Sequence, residues 1–164
     1  MREKLIPVCG IAATLLYGAL IIWLYATEPR SLSEVATNTM VAAGTYQVDR
    51  EQFARGLMLF RAEQFRAARD EWHNADPAQK DALTQFYTAY AFYREGWGRV
   101  YHDDALYRQG LEAVQRAIAL NDKLTVDDSN LQIKTSAELK VELEAGTERT
   151  LDDLNPLKVF RERK

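Results

Sequence analysis

The chain has one cysteine, Cys9. A single cysteine excludes an intramolecular disulfide and any metal site built on cysteine. It also excludes haem attachment through a Cys-x-x-Cys-His motif. Cys9 is not a lipid-modified cysteine either: it lies too close to the start, and Ile6-Pro7-Val8 does not read as a lipobox. Histidine is almost as scarce, with only His73 and His102. His102-Asp103-Asp104 brings ligand types together, but three adjacent residues cannot all point at one ion, and the Asp pair is placed to cap a helix. There is no glycine-rich phosphate loop, no serine or cysteine nucleophile with a base, and no diagnostic carboxylate pair. The expectation is therefore no catalytic residue, no metal and no cofactor. A basic stripe is also missing. Lys and Arg number 21 against 24 Asp and Glu, for a net charge of −3, and the signs are interspersed. That argues against a nucleic-acid binder.

What is present at the N-terminus is an apolar stretch, Leu5 to Ala26, without a charged residue. It is about the length a helix needs to cross a hydrocarbon core of roughly 30 Å. Arg2 and Lys4 precede it, as in a signal peptide, but a signal-peptide apolar region spans about 7–15 residues and ends at a small-x-small site. Leu24-Tyr25-Ala26 is a poor cleavage site. Tyr17, Trp23 and Tyr25 suit a helix whose outer end reaches the interface. The run is apolar on every face, unlike a buried helix of a soluble domain. An uncleaved anchor over residues 1–27, in contact with the bilayer through residues 5–26, is the expectation; a cleaved signal is the alternative. The cations flanking the span favour a cytoplasmic N-terminus and a periplasmic or otherwise extracytoplasmic C-terminal domain. A cytoplasmic domain is the competing orientation.

The remainder is long enough for one domain with its own core. Residues 28–48 read as a connector, in which Ser31-Leu-Ser-Glu34 has capping-box spacing and could start a short helix ending near Gly44. Asp49 can cap a helix carrying Phe53, Leu57 and Phe60 at i, i+4, i+7. Glu63 and Gln64 make a tight turn, and Phe65, Ala68, Trp72 and Ala75 form a second stripe. Asp76-Pro77 predicts a restart, Asp as N-cap and Pro at the first helical position. The next helix is aromatic, with Phe86, Tyr87, Tyr90, Phe92 and Tyr93, and Gly96-Trp97-Gly98 breaks it. Asp103 or Asp104 caps a further helix through Leu106, Tyr107, Leu111, Val114, Ala117 and Ile118. No strand alternation of comparable strength occurs here, so the expected class is all-α.

The helices are paired and the pairs are self-similar. Phe65, Ala68, Trp72 and Ala75 align with Tyr107, Gly110, Val114 and Ala117 at one offset. Phe53, Gly56 and Phe60-Arg61 align with Phe86, Ala89 and Tyr93-Arg94 at a shorter one. The difference falls in Gly96–Asp103, which reads as an insertion. Over residues 49–122 this resembles the tetratricopeptide repeat family. The resemblance implies two helix pairs, with small residues at Ala68 and Gly110 letting the helices of a pair approach, and a surface for binding proteins. The insertion is not a family feature. Two repeats fall below the roughly three needed for a stable solenoid, so residues 123–164 are expected to cap them. There, Val126-Asp-Asp-Ser-Asn130 is a polar turn cluster. Thr135-Ser-Ala-Glu138 has capping-box spacing and starts a helix with Leu139 and Leu143 on one face, ending near Gly146. The end, Lys158-Val-Phe-Arg-Glu-Arg-Lys164, is basic; it is either a solvated tail or a contact for anionic headgroups or an acidic partner.

Aromatics and Arg are the residue types enriched at binding hot spots. They concentrate around the insertion, and Tyr87, Arg94, Trp97, Arg99 and Tyr101 are the candidate partner-binding residues. Tyr90 and Tyr93 read as core. A loop carrying large rings either tucks against the fold or binds. The functional expectation is a membrane-anchored helical-repeat protein that binds a membrane-associated protein partner as scaffold, assembly factor or accessory subunit. The alternative is a small-ligand binder or enzyme with a pocket closed by loop 96–103.

Overall fold

The computed structural model describes residues 14–22, 37, 39–41, 46–98 and 102–147. The chain divides into two compact units, Met1–Tyr46 and Gln47–Lys164. In the first, residues 14–22 are helical. Leu15, Leu16, Tyr17, Leu20, Ile21 and Ile22 are all exposed, Leu16 by 72%. Successive helical residues turn by about 100°, so these side chains point in every direction around the axis. Among the described residues no helix is long and apolar enough to cross a membrane. The rest of the expected anchor, the Ser31–Glu34 helix start and the basic tail lie outside the described residues.

The described residues of the second unit form five helices: α1 (Arg50–Arg61), α2 (Phe65–Ala75), α3 (Ala82–Gly96), α4 (Asp104–Leu120) and α5 (Ser136–Thr147). The described part of the chain is all-α, with a single isolated bridge between Thr125 and Thr135. α1 begins where expected. The Asp49 carboxylate accepts from the amides of Glu51 at 2.9 Å and Gln52 at 3.0 Å, satisfying two donors that a helix start leaves open. It ends in a Schellman turn: the Gln64 amide donates to Leu59 O at 2.9 Å and that of Glu63 to Phe60 O at 3.0 Å. Glu63 takes the left-handed position, φ 58°, that usually falls to glycine. The chain then returns as α2, and the Asp49 amide donates to Ala75 O at 3.1 Å. α1 and α2 are therefore an antiparallel hairpin, and Arg55 on α1 pairs with Glu71 on α2 at 3.2 Å.

α3 corrects the expected start. Asp76 is the C-cap of α2, and the N-cap of α3 is Asp81, whose carboxylate accepts from the Thr84 amide. Asp76 is 1% exposed. Its carboxylate accepts from the amides of Lys80 at 2.9 Å and Asp81 at 3.0 Å and from Gln85 Nε2 at 3.3 Å. The Asp-Pro pair thus organises a turn, and the helix waits five residues for a second acid. α4 is capped by Asp103, which accepts from Ala105 and Leu106, rather than by Asp104. α5 carries the reciprocal capping box: Glu138 N–H donates to Thr135 Oγ1 at 3.2 Å, and Thr135 N–H to Glu138 Oε2 at 3.3 Å.

The core lies between the α1–α2 and α3–α4 hairpins. Trp72, Phe86, Tyr90, Ala68, Ala89, Val114 and Ala117 are fully buried. Rings pack edge-on across the junction, Phe60 with Tyr87 at 6.0 Å and with Tyr90 at 5.8 Å, a geometry aromatic quadrupoles favour. A Cβ on Gly110 would come within 3.2 Å of Phe92 Cβ and 2.9 Å of Leu143 Cδ2. The small residue there admits α3 on one side and α5 on the other. Leu139 and Leu143 are fully buried, so α5 closes the far side of the second hairpin.

Gly56 sits flat under the Trp72 indole, where a Cβ would lie 2.6 Å from Cδ1 and 2.8 Å from Cε2. The indole cannot swing away, because it is fully buried and its Nε1–H donates to Phe53 O at 3.2 Å. Helix propensity alone favours alanine over glycine by about 1 kcal/mol. Overpacking a closed core costs about 1–3 kcal/mol. Gly56→Ala is therefore expected to destabilise the domain in urea melts, and Trp72→Ala to do so by roughly 3–5 kcal/mol. A more stable Gly56→Ala variant would show that the indole does not rest on α1.

Candidate partner-binding surface

The loop between α3 and α4 is pinned at both ends. The Asp103 amide donates to Gly96 O at 2.8 Å. Inside that closure, the Gly98 amide donates to His102 Nδ1 at 3.1 Å. The imidazole stacks on Tyr107, centroids 4.7 Å apart and planes 18° apart. Trp97 is half-buried, packs on the core, and its ring lies 6.2 Å from the imidazole. Tyr107 in turn fills space left by two glycines. A Cβ on Gly96 would stand 2.9 Å from its ring, and one on Gly146 of α5 would collide with the same ring. The end of α3, the loop, α4 and α5 therefore meet on one phenol. Of the loop's candidate residues, Trp97 is tucked in its ring but not fully covered. Arg99 and Tyr101 lie outside the described residues.

The other two candidates are placed differently. Tyr87 is 4% exposed and belongs to the core, with Trp72 at 5.6 Å and Phe53 at 5.8 Å. This corrects its expected place on a surface: its residue type suggested a binding role, but the first hairpin packs over its ring. Only its hydroxyl looks outward, donating to Asp128 Oδ2 at 3.1 Å. Burial first, and then the Asp128 charge, push its pKa well above the ordinary phenol value. Arg94 is mostly buried as well. It pairs with Glu63 at 3.1 Å, and its guanidinium lies over the rings of Phe65 at 5.8 Å and Phe60 at 6.0 Å. It ties α3 to the turn of the first hairpin, a cation–π contact worth about 0.5–2 kcal/mol by its burial. Tyr87 and Trp97 are ten residues apart, which is about 15 Å along a helix axis. The structure does not gather Tyr87, Arg94 and Trp97 into one patch.

Asp128 was not singled out from the sequence. The segment from Asn121 to Thr135 forms a closed strap, in which the Val126 amide donates to Lys134 O at 2.8 Å and Val126, Leu131 and Ile133 are buried. The Ile133 amide donates to the Tyr90 hydroxyl at 3.4 Å. Asp128 fastens the strap to both hairpins, accepting from Tyr87 of α3 and from Arg61 of α1 at 3.4 Å, while the Asn130 amide holds its other oxygen at 2.9 Å. Burial alone would raise its pKa. The hydrogen bonds from Asn130, Tyr87 and Arg61 outweigh that and leave it below the usual carboxylate value. The alternation Leu131-x-Ile133, bracketed by Asp-Ser-Asn and a capping box, was the available signal for a buried strap.

A shallow, open depression of about 430 Å³ lies at the α1–α2 turn, lined by Glu63, Gln64, Phe65, Arg66, Ala67, Asp70 and Glu95. Among the described residues of loop 96–103, none lines it. Among the described residues, no group of three His, Cys, Asp or Glu side chains could hold a metal ion. No protein-family model, no curated protein and no solved structure matches the chain.

The depressed Asp128 pKa fixes a pH dependence. Its contribution is complete above the unfolded value, about 3.9, and is lost as pH falls through the lower folded value. Asp128→Ala should lower stability by roughly 1.5–3 kcal/mol at neutral pH, as for a hydrogen bond to a charged group. The gap from the wild type should stay constant above about pH 5 and shrink below it. Urea melts between pH 7 and pH 2 measure this; a gap that widens in acid would contradict the assignment.

Proposed function

We propose that the chain is a single-pass membrane protein whose helical domain, similar to tetratricopeptide repeats, holds a protein partner at the bilayer. It would serve as scaffold, assembly factor or accessory subunit of a membrane complex. The observation that carries the membrane half is the helical stretch 14–22, with leucine, isoleucine and tyrosine side chains exposed on every side. In water, burying each large apolar side chain is worth about 1.5–3 kcal/mol, so such a surface calls for an apolar surrounding. It lies within the charge-free run from Leu5 to Ala26, which has the length of a bilayer span.

The binding half rests on the architecture of the second unit. Two stacked antiparallel hairpins with a capping helix make a rigid platform, and tethering raises its local concentration near membrane partners. The repeat resemblance implies close approach of the two helices of a pair at Ala68 and Gly110; in support, Ala68 is fully buried and Gly110 lies against Phe92 of α3. With Tyr87 and Arg94 engaged inside the fold, the contact is assigned to the loop: Trp97, Arg99 and Tyr101.

Two measurements test the two halves separately. Mass analysis of protein extracted from membranes should find Met1 or Arg2 at the N-terminus; a start between Ala26 and Gly44 would mean a cleaved signal. Replacing Trp97, Arg99 and Tyr101 together with serine should leave the domain folded, since the loop ends stay pinned by Gly96 and Asp103, while co-purifying protein is lost. Unchanged recovery of the partner moves the contact away from the loop.

A further inference from the structure

We infer that His102 is an acid-sensitive latch, whose neutral ring holds the Gly96–Gly98 arm of the loop closed and whose protonation frees that arm while the ring stays on Tyr107. A backbone N–H can only donate, so the Gly98 amide requires a lone pair on His102 Nδ1. That places the ring's proton on Nε2. Protonation puts a hydrogen on Nδ1, two donors then face each other, and the bond to Gly98 is lost. The stack on Tyr107 persists, because a cation is attracted to the face of an aromatic ring. The Tyr107 hydroxyl, 3.2 Å from the same Nδ1, can turn from donor to acceptor. Of these two contacts the one lost is therefore that to Gly98, next to Trp97.

An unperturbed imidazole changes charge between about pH 5 and 8, the range the test covers. Among the described residues, the acids close to it in the chain are Asp103, Asp104 and Glu95. Asp103 follows it directly, but its carboxylate faces the amides of Ala105 and Leu106. Asp104 opens α4, with its carbonyl taking Arg108. Glu95 in the last turn of α3 is paired with Arg69. α5 approaches through Gly146, on the Tyr107 ring. Opening the arm loosens Trp97, which follows Gly96 as the C-cap of α3 and packs against the core.

The test uses full-length protein in neutral-detergent micelles, labelled with ¹⁵N at glycine and histidine. At pH 8 the His102 Nδ1 resonance should be that of an unprotonated acceptor. Between pH 8 and 5, exchange of the Gly98 amide with water, referred to free glycine at the same pH, should rise roughly two- to tenfold, in step with the ring. His102→Phe keeps a ring on Tyr107 without an acceptor, so Gly98 should exchange fast at every pH. His102→Asn supplies an acceptor that does not titrate, so Gly98 should stay protected at every pH. Exchange that ignores the ring's titration overturns the latch. So does a pH step that survives in both variants, which would belong to Asp103, Asp104 or Glu95. No partner is involved, so this result and the loop's role in binding can fail separately.

Discussion

The indole of Trp72 is the piece on which the domain's packing depends. It is a large, fully buried side chain, and it stands where three surfaces meet: the glycine on α1, the rings of Phe53 and Phe60, and Tyr87 of the second hairpin. α1 can come close enough to α2 to bury the ring only because position 56 has no side chain. Its one polar atom is satisfied by a carbonyl of the helix it packs on, so its burial carries no unpaired donor. Beside the indole, Phe53 and Phe60 of α1 also pack on Tyr87 and Tyr90 of α3. The Arg55–Glu71 and Arg61–Asp128 pairs add less, being partly exposed and individually worth about 0–1 kcal/mol.

Carboxylates settle what the rings leave open. Ring packing is tolerant of small rotations, whereas a buried acid accepting several backbone amides is not. Asp76 fixes the crossing between hairpins by gathering Lys80, Asp81 and Gln85, and Gln85 passes the constraint on by accepting from Arg116 of α4 at 2.9 Å. Asp128 does the same for the strap. The bonds of Asp76 are short-range in sequence, whereas Asp128 combines a local bond from Asn130 with distant ones from Tyr87 and Arg61.

The helices were legible because their caps and stripes are local. Asp49, the Glu63 turn, the stop at Gly96 and the Thr135–Glu138 box each depend on residues a few positions apart, and the buried stripe from Phe65 to Ala75 has one period throughout. Two readings failed for a common reason. Asp76-Pro77 has the composition of a helix start, but its carboxylate found donors in the turn itself, which compete with helix initiation. Tyr87 shares its composition with a binding surface, and only the docking of the first hairpin decides that its ring is inside. Val126–Asn130 was read as a polar turn cluster because its polar residues are consecutive, while Val126 at its start and Leu131 and Ile133 just beyond it are buried. What a residue faces across the fold cannot be read from its neighbours in the chain.

A stack of two hairpins leaves a larger fraction of its apolar surface at its ends than a long array does. Here one end is closed by α5 and the strap, and the α3–α4 insertion joins that closure through Tyr107. The phenol lies against Gly96, Gly146 and the His102 ring at once. A change in the loop therefore reaches α5 through a single side chain, with no flexible segment between. This gives the insertion a structural reason independent of binding: it carries a ring to the open edge of the second pair, where a tight turn like that of the first would leave Tyr107 bare. It also sets a condition on any contact made there. A partner that drew Trp97 outward would have to offset the packing lost, so the side of the loop free to bind without that cost is the one facing away from Tyr107.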